Sequence, residues 1–145
     1  MPQDEIVYVT AADRPIAAAD VRRLYDGADW WPGWDVEGIA RAIAASIAVG
    51  AWDGDRLIGF ARALSDNVRR AYLEDVVIDP EYRGHKIGEG LVARLLDQLG
   101  DVHITSLFCE PPRVAFYARN GFRPSSTQVM MHREPGSTTV PGPTR

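Results

Sequence analysis

Alternating and helically spaced apolar residues divide the chain into predicted strands and helices. Strands are predicted where β-branched and aromatic residues cluster, and helices where apolar residues recur every three or four positions. The predicted strands are residues 5–10, two hairpin arms IAVGAW and RLIGFARAL joined at Asp-Gly, and residues 71–79, 102–109 and 127–133. The predicted helices are residues 18–28, a segment that begins after the N-cap Asp35, the run from Ile87 to Leu99, which Gly100 is predicted to end, and a short helix in PPRVAFYARN.

The order of these elements predicts the fold class. Strand-helix-helix is followed by three strands and then by helix-strand-helix-strand, so an antiparallel meander leads into a βαβ crossover. We therefore expect a single-domain α/β fold with a mixed, mostly antiparallel sheet flanked by helices. Residues 1–133 are predicted to form this domain. Residues 134–145, rich in Pro, Gly, Ser and Thr, are predicted to be a disordered tail.

Composition and charge exclude several classes of protein. The chain has 145 residues, 46% of them hydrophobic, which suits one globular domain. A net charge of −4 does not favour nucleic acid or an anionic membrane, and no apolar run reaches the ~18 residues of a membrane span. We expect no signal peptide in MPQDEIVYVT. The single cysteine, Cys109, rules out an intrachain disulfide, is predicted to be buried, and predicts a reducing, cytoplasmic location. His85, His103 and His132 lack metal-like spacing, so no metal is predicted.

The stretch YRGHKIGEG, residues 82–90, has the character of an anion-binding loop. It lies between a predicted strand and a predicted helix, where free backbone N–H groups and the helix dipole favour phosphate. Its cationic or donor side chains are Arg83, His85 and Lys86, and its glycines at 84 and 88 allow close backbone approach. The alternative is a tight strand-to-helix turn with solvated charges.

The chain resembles the GCN5-related N-acetyltransferases, the GNAT family, in this region. VVIDPEYRGHKIGEGLVARLL is similar to their acetyl-CoA-binding core, with Arg83 and Gly88 at signature positions and Lys86 where the family has a middle glycine. VAFYARNGF resembles a second family landmark, and the strand order is similar over residues 5–133. Within the family, WPGW…IAAS and LIGFARALSD look most like plant and bacterial arylalkylamine (serotonin-type) acetyltransferases.

The resemblance implies a set of coenzyme contacts, made chiefly by main-chain groups. These contacts map onto Val76, Val77, Ile78, Arg83, Gly84, His85, Lys86, Ile87, Gly88 and Glu89. Lys86 keeps the N–H of the glycine it replaces. It either strains the loop, if position 86 needs a positive φ, or adds a charge contact to a phosphate.

Acetyl transfer to an amine needs a base, oxyanion donors and an acid, because an alkylammonium with a pKa near ~10 has no free lone pair. The resemblance implies Tyr117 as the acid and an N–H of residues 76–78 as the oxyanion donor. Glu74 is the candidate base, acting directly or through water, and Asp75 is either a second catalytic carboxylate or structural. On a regular strand Glu74 would share a face with Val76, and Asp75 would lie on the other, unless a bulge inverts the alternation.

Aromatic residues are the candidates for the acceptor site. The resemblance places Trp30, Trp31, Trp34 and Tyr72 there, although helix-loop packing explains the tryptophans equally well. Two positions depart from the family: Glu110 replaces an asparagine that contacts coenzyme, and Thr105 stands where some members have a glutamate.

These residues imply an acetyl-CoA-dependent transfer to a small primary amine, an arylalkylamine or a polyamine. The alternatives are a protein lysine or N-terminal acetyltransferase and a non-catalytic acyl-CoA-binding module. The resemblance also allows a homodimer.

Overall fold

The computed structural model describes residues 5–136 and contains one five-stranded sheet with helices on both faces. The strands are β1 (Ile6–Thr10), β2 (Ile47–Asp53), β3 (Arg56–Ser65), β4 (Arg70–Ile78) and β5 (Ile104–Leu107). The helices are α1 (Ala18–Gly27), α2 (Val36–Ala44), α3 (Ile87–Leu99) and α4 (Val114–Ala118). Short 3-10 turns at Pro80–Tyr82 and Pro111–Arg113 precede α3 and α4.

The topology confirms the predicted meander and crossover. The strands lie side by side in chain order, β1 to β4 antiparallel to one another and β4 parallel to β5. Helix α3 makes the crossover that a parallel pair requires. This arrangement is the predicted single-domain α/β fold with a mixed, mostly antiparallel sheet.

Each face of the sheet has its own hydrophobic core. Helix α3 covers one face and buries Leu91, Val92 and Leu95 against small residues of the central strands. Helices α1 and α2 cover the other face, which we call the α1/α2 face, with Tyr25 and Phe60 at its centre. Strands β2, β3 and β4 each contribute side chains to both cores.

The local stop and start signals act as the sequence predicts. Asp35 caps α2, its carboxylate accepting from the Gly38 N–H over 2.8 Å. Gly100 ends α3 with a φ of 59°, and Gly54 turns the β2–β3 hairpin with a φ of 58°. These positions fix the ends of elements that border the site described below.

The predictions near the carboxyl end are partly wrong. Residues 127–133 form no strand in the described chain, and Val129 and Met131 are 85% and 86% exposed. Their alternation has no neighbouring strand to pair with, and period-two spacing alone cannot supply one. Strand β5 is shorter than the predicted 102–109, and Cys109 is exposed rather than buried.

Helix length and the carboxyl-terminal tail bear on two more of the predictions. The longest helix in residues 5–136 has 13 residues, and none there is long and apolar enough to cross a membrane. Most of the predicted disordered tail, 134–145, lies outside the described residues.

Candidate active site

A β-bulge in β4 sets the geometry of the two candidate carboxylates. Val76 pairs with Ala61 of β3, but Arg62 pairs with Glu74, so Asp75 is an extra residue on β4. Leu73 and Val76 consequently point to the same face, toward α3, although an uninterrupted strand would place them on opposite faces. The expectation that Glu74 shares a face with Val76 and Ile78, opposite Asp75, is therefore wrong. Both carboxylates lie on the α1/α2 face.

Asp75 is held in a buried polar cluster. Its carboxylate accepts from the Tyr25 hydroxyl over 2.7 Å and from Arg62 Nε over 3.0 Å. The Arg62 side chain is itself only 12% exposed and donates further to Ser46 Oγ over 3.2 Å. Both of these hydrogen bonds hold the Asp75 carboxylate in a fixed position inside the fold. These contacts support the structural alternative for Asp75, and a catalytic role for it stays a prediction.

Replacing Asp75 with asparagine should lower the free energy of unfolding by about 3 kcal/mol, because it leaves the Arg62 charge buried without its partner. The amide oxygen can still accept from Tyr25, so the loss reports mainly on the ion pair. Chemical denaturation measures it. Asp26→Asn, which removes an exposed ion pair with Arg22, is the control and should change stability by less than about 1 kcal/mol. Equal stability of the two variants would contradict the structural role of Asp75.

Glu74 lines an open cleft of about 510 Å³ on the α1/α2 face. The other lining residues are Trp31, Pro32, Gly33, Trp34 and Arg62. Burial raises the pKa of Glu74, and the Asp75 charge adds to this, while the Tyr72 hydroxyl and the Arg62 charge oppose it. The carboxyl group thus holds a proton more readily than a solvated glutamate. Such a group, aimed into a cleft, is suited to proton abstraction.

The four aromatic residues predicted for this site divide into two groups. Trp31 and Trp34 wall the cleft, with Trp34 stacked on Tyr25 at 5.8 Å between ring centroids. Trp30 lies outside the lining and packs against Tyr25 at 6.2 Å. Tyr72 also lies outside the lining and packs on Phe108 at 5.1 Å between ring centroids. The helix-loop packing interpretation therefore fits Trp30, and the acceptor-site interpretation fits Trp31 and Trp34.

Beyond Glu74, β4 presents backbone groups to an opening in the sheet. The ladder between β4 and β5 ends at Leu73 and Leu107. The Asp79 N–H donates to the Ile58 carbonyl over 2.8 Å, and hydrogen-bonded pairs alternate along an antiparallel ladder. Val77 consequently turns its N–H and C=O toward β3, whereas Val76 and Ile78 turn theirs toward the opening. Of the three residues on this strand that are predicted to contact coenzyme, Val76 and Ile78 turn their main-chain groups to the opening, and the contacts themselves stay predictions.

Tyr117 lies on α4, on the side of the sheet that α3 covers. Its ring packs against Phe116 and Phe122, at 4.8 and 6.1 Å between centroids. Burial raises the pKa of Tyr117, and the negative charge of a Cys109 thiolate would raise it further. The phenol is therefore protonated at neutral pH, which is the state that a general acid needs.

The loop before α3 has the backbone geometry of an anion site. Arg83, Gly84, His85 and Lys86 are exposed and lead directly into the first turn of α3, whose N–H groups have no earlier helical partners. Ile87 is buried, so only its backbone faces the loop. A side chain at Gly88 would meet the Phe116 ring at 3.0 Å, so this glycine serves the packing of α4 as well as any ligand.

Lys86 adopts the left-handed conformation, with φ 61° and ψ 19°. Of the two interpretations of this residue, the structure supports backbone strain, because a residue with a Cβ rarely occupies this region. The middle glycine that the sequence lacks is therefore the residue this backbone favours. The charge contact to a phosphate stays a prediction.

Lys86→Gly should raise the free energy of unfolding by about 1 kcal/mol, because it removes the left-handed penalty and only part of this is offset by greater chain freedom when unfolded. Thermal and chemical denaturation measure the change. Lys86→Ala keeps a Cβ and removes the same charge, so it should show no such gain. A gain of equal size in both variants would attribute the effect to charge.

Comparison with known proteins decides the family. The sequence profile of the acetyltransferase (GNAT) family matches residues 12–122. The chain belongs to the GNAT acetyltransferase family. Among solved structures, a GNAT-family acetyltransferase from Xanthomonas campestris pv. campestris is 28% identical, with a TM-score of 0.77 over 94% of this chain and 96% of that one.

Two curated relatives, both named N-acetyltransferase ycf52 or ycf52-like, align with different lengths of this chain. The N-acetyltransferase ycf52-like protein of Prochlorococcus marinus is 31% identical over 126 residues, 82% of this chain and 69% of that protein. The N-acetyltransferase ycf52 of Pyropia yezoensis is 44% identical over 69 residues, 46% of this chain. That match spans only 40% of the Pyropia protein.

Two residues beside the candidate carboxylates, Arg62 and Tyr25, were not predicted from the sequence. Arg62 lines the cleft, pairs with Asp75 and lies over Trp34, with Cζ 5.8 Å from the ring centroid. A signal was present, since Arg62 is a lone charge inside the apolar run LIGFARAL. Nothing in the sequence indicates a role for Tyr25 at the site, because its helical spacing fits an ordinary core residue. The two departures are now placed: Glu110 precedes the turn at Pro111–Arg113, and Thr105 lies on β5 beside Ala71.

Proposed function

We propose that this GNAT protein is an acetyl-CoA-dependent N-acetyltransferase that transfers acetyl directly from the thioester to a small primary amine. The observation that carries the proposal is Glu74, a carboxylate with a raised pKa in a cleft walled by Trp31 and Trp34. Family membership supports acetyl-CoA as the donor, and residues 1–133 are the proposed acetyltransferase domain.

In this proposal the coenzyme binds along the opening between β4 and β5. The first-turn N–H groups of α3, with Arg83, His85 and Lys86 nearby, hold the pyrophosphate. Main-chain groups of Val76 and Ile78 hold the pantetheine arm, and one of their N–H groups polarises the acetyl carbonyl. The chemistry of these donors fits an anionic, amide-containing ligand.

Two side chains move the protons. Glu74 takes a proton from the incoming ammonium, directly or through one water, so that the nitrogen lone pair can attack the thioester carbon. After the attack the nitrogen loses a second proton to solvent, and as the carbon–sulfur bond breaks, Tyr117 gives its proton to the departing sulfur. The products are an acetamide and the free thiol of coenzyme A; of the two protons that left the nitrogen, one restores Tyr117 through solvent and the other is released.

The acceptor proposed is an arylalkylamine or a polyamine. Trp31 and Trp34 offer flat apolar faces to an aromatic ring or to a cation, and Glu74 attracts the ammonium. Arg62 is neutralised by Asp75, so it does not repel a cationic acceptor. The open cleft also favours a second candidate, a lysine side chain presented by a protein, because Trp31 and its neighbours Pro32 and Gly33 are exposed.

The test is release of free coenzyme A, measured with a thiol reagent, from acetyl-CoA and a panel of amines. The panel holds tryptamine, serotonin, spermidine, amino acids and a lysine peptide. Turnover on the aromatic amines or spermidine supports the proposal, and turnover on the peptide alone supports the second candidate. Tight acetyl-CoA binding without thiol release on any amine favours a non-catalytic acyl-CoA-binding module instead.

The compartment and assembly are predictions as well. Exposed Cys109, the one cysteine of the sequence, is consistent with a reducing environment such as the cytoplasm. A homodimer is expected from the resemblance, and sedimentation analysis of the purified protein tests it.

A further inference from the structure

One arginine binds three backbone carbonyls of the loop between α1 and α2. The guanidinium of Arg22 donates to the carbonyls of Trp30, Trp31 and Trp34 over 2.7, 2.8 and 2.6 Å. Its Nε also donates to Asp26 over 2.9 Å. The Arg22 side chain is only 15% exposed, and its bonds to the Trp30 and Trp34 carbonyls are partly buried. Arg22 thus occupies the centre of the loop that carries the cleft walls.

The loop has an unfavourable backbone that needs such support. Asp29 and Trp31 both have positive φ values, 57° and 53°, which residues with a Cβ rarely adopt. The backbone bonds of the loop are local: the N–H groups of Ala28 and Trp30 donate to the Tyr25 carbonyl over 3.1 and 2.9 Å, Asp29 N–H donates to the Asp26 carbonyl over 3.2 Å, and Trp34 N–H donates to the Trp31 carbonyl over 3.0 Å. The Trp31 side chain is 49% exposed and so gains little from burial.

We propose that Arg22 is a positioning residue that fixes residues 28–35 and thereby sets the shape of the acceptor cleft. The inference rests on the proposed function, since it assigns the cleft to the acceptor. Arg22 does not line the cleft, so it acts through the carbonyls it binds. The planar fork of a guanidinium can serve three carbonyls at once, and an ammonium keeps the charge without that geometry.

Kinetics on the full chain test the proposal. Arg22→Gln should raise the KM for tryptamine about tenfold and leave kcat within about twofold, because the loss is in binding and not in the chemical step. The pH profile of kcat/KM and the Kd for acetyl-CoA should be unchanged. Arg22→Lys should not restore the KM. Asp26→Asn removes the ion pair but keeps all three carbonyl bonds, so it is the matched control and should behave as wild type.

Tryptophan fluorescence gives a readout that does not depend on activity. Three of the four tryptophans lie in this loop, so acrylamide should quench Arg22→Gln more strongly than wild type or Asp26→Asn. An unchanged KM in Arg22→Gln overturns the inference, and so does an equal loss of acetyl-CoA affinity. If Arg22→Gln does not fold, a wild-type KM in Arg22→Lys overturns it. If wild type acetylates no amine, the proposed function fails, and quenching alone decides whether Arg22 holds the loop.

Discussion

Replacing Tyr117 with phenylalanine is expected to lower kcat about 1,000-fold, in the range seen when a general acid is removed. Phenylalanine keeps the ring that packs on Phe116 and Phe122, so the fold and the acetyl-CoA affinity should be retained. The physical reason is that the sulfur must leave as a thiolate in a half-buried site when no proton is supplied. Single-turnover measurement of thiol release at saturating acetyl-CoA isolates this step.

The matched control is Tyr8→Phe. It makes the same chemical change on β1, at another tyrosine whose pKa burial raises, and should leave kcat within about twofold. If Tyr117→Phe also kept kcat within threefold of wild type, as a rough threshold for an absent role, Tyr117 would be only a packing residue of α4.

Glu74→Gln is expected to lower kcat/KM about 300-fold at neutral pH, because glutamine cannot take a proton from the ammonium. The defect should shrink as pH approaches the amine pKa near ~10, where free amine is already abundant. A pH–rate profile from acidic to alkaline buffers measures both effects. Glu37→Gln, an exposed change in the first turn of α2, is the control.

The direction of the Glu74 pKa shift predicts the acid limb of that profile. Because burial raises this pKa above the ordinary 4.5, wild-type activity should rise with pH through an inflection above 4.5, as the carboxylate forms. Glu74→Gln should lack this inflection and rise with unit slope toward the amine pKa. A variant profile that keeps the wild-type inflection would place the base elsewhere.

The raised pKa of Glu74 also predicts that Glu74→Gln, which lowers activity, raises the stability of the fold. A carboxyl group whose pKa is raised on folding binds its proton more tightly when folded, so its contribution falls as pH rises from 4.5 through the raised folded value. Glutamine is neutral throughout, so Glu74→Gln should melt at a higher temperature than wild type above that window. Loss of activity with a gain in stability is the pattern expected of a functional residue.

Structural features that depend on only a few neighbouring residues could be predicted from the sequence. The Asp35 cap, the Asp-Gly hairpin and the Gly100 stop each depend on one turn of chain, and each was confirmed. The loop before α3 was recognisable for the same reason, since its position between a strand and a helix follows from neighbouring apolar runs.

Structural features that depend on residues far away in the chain could not be predicted from the sequence. The bulge at Asp75 depends on the register against β3 and on Arg62 and Tyr25, which lie 13 and 50 residues away. The Arg22 bonds to the loop likewise depend on how α1 enters it. The false strand at 127–133 shows the converse, because a local alternation forms a strand only when another strand can receive it.

The position of the bulge in β4 has a consequence for how this protein can diversify. Residues 28–35 pack on the α1/α2 face, whereas Lys86 precedes the helix that covers the other face. Effects of changes at such separate sites usually add in free energy. A library randomised at residues 28–35 could therefore be built on a Lys86→Gly background, whose added stability would tolerate more of its members. A one-residue deletion at Asp75 would leave Glu74 and Val76 on their present faces, because Asp75 is the extra residue of the bulge, but it would take away the carboxylate that pairs with Arg62 beneath the cleft.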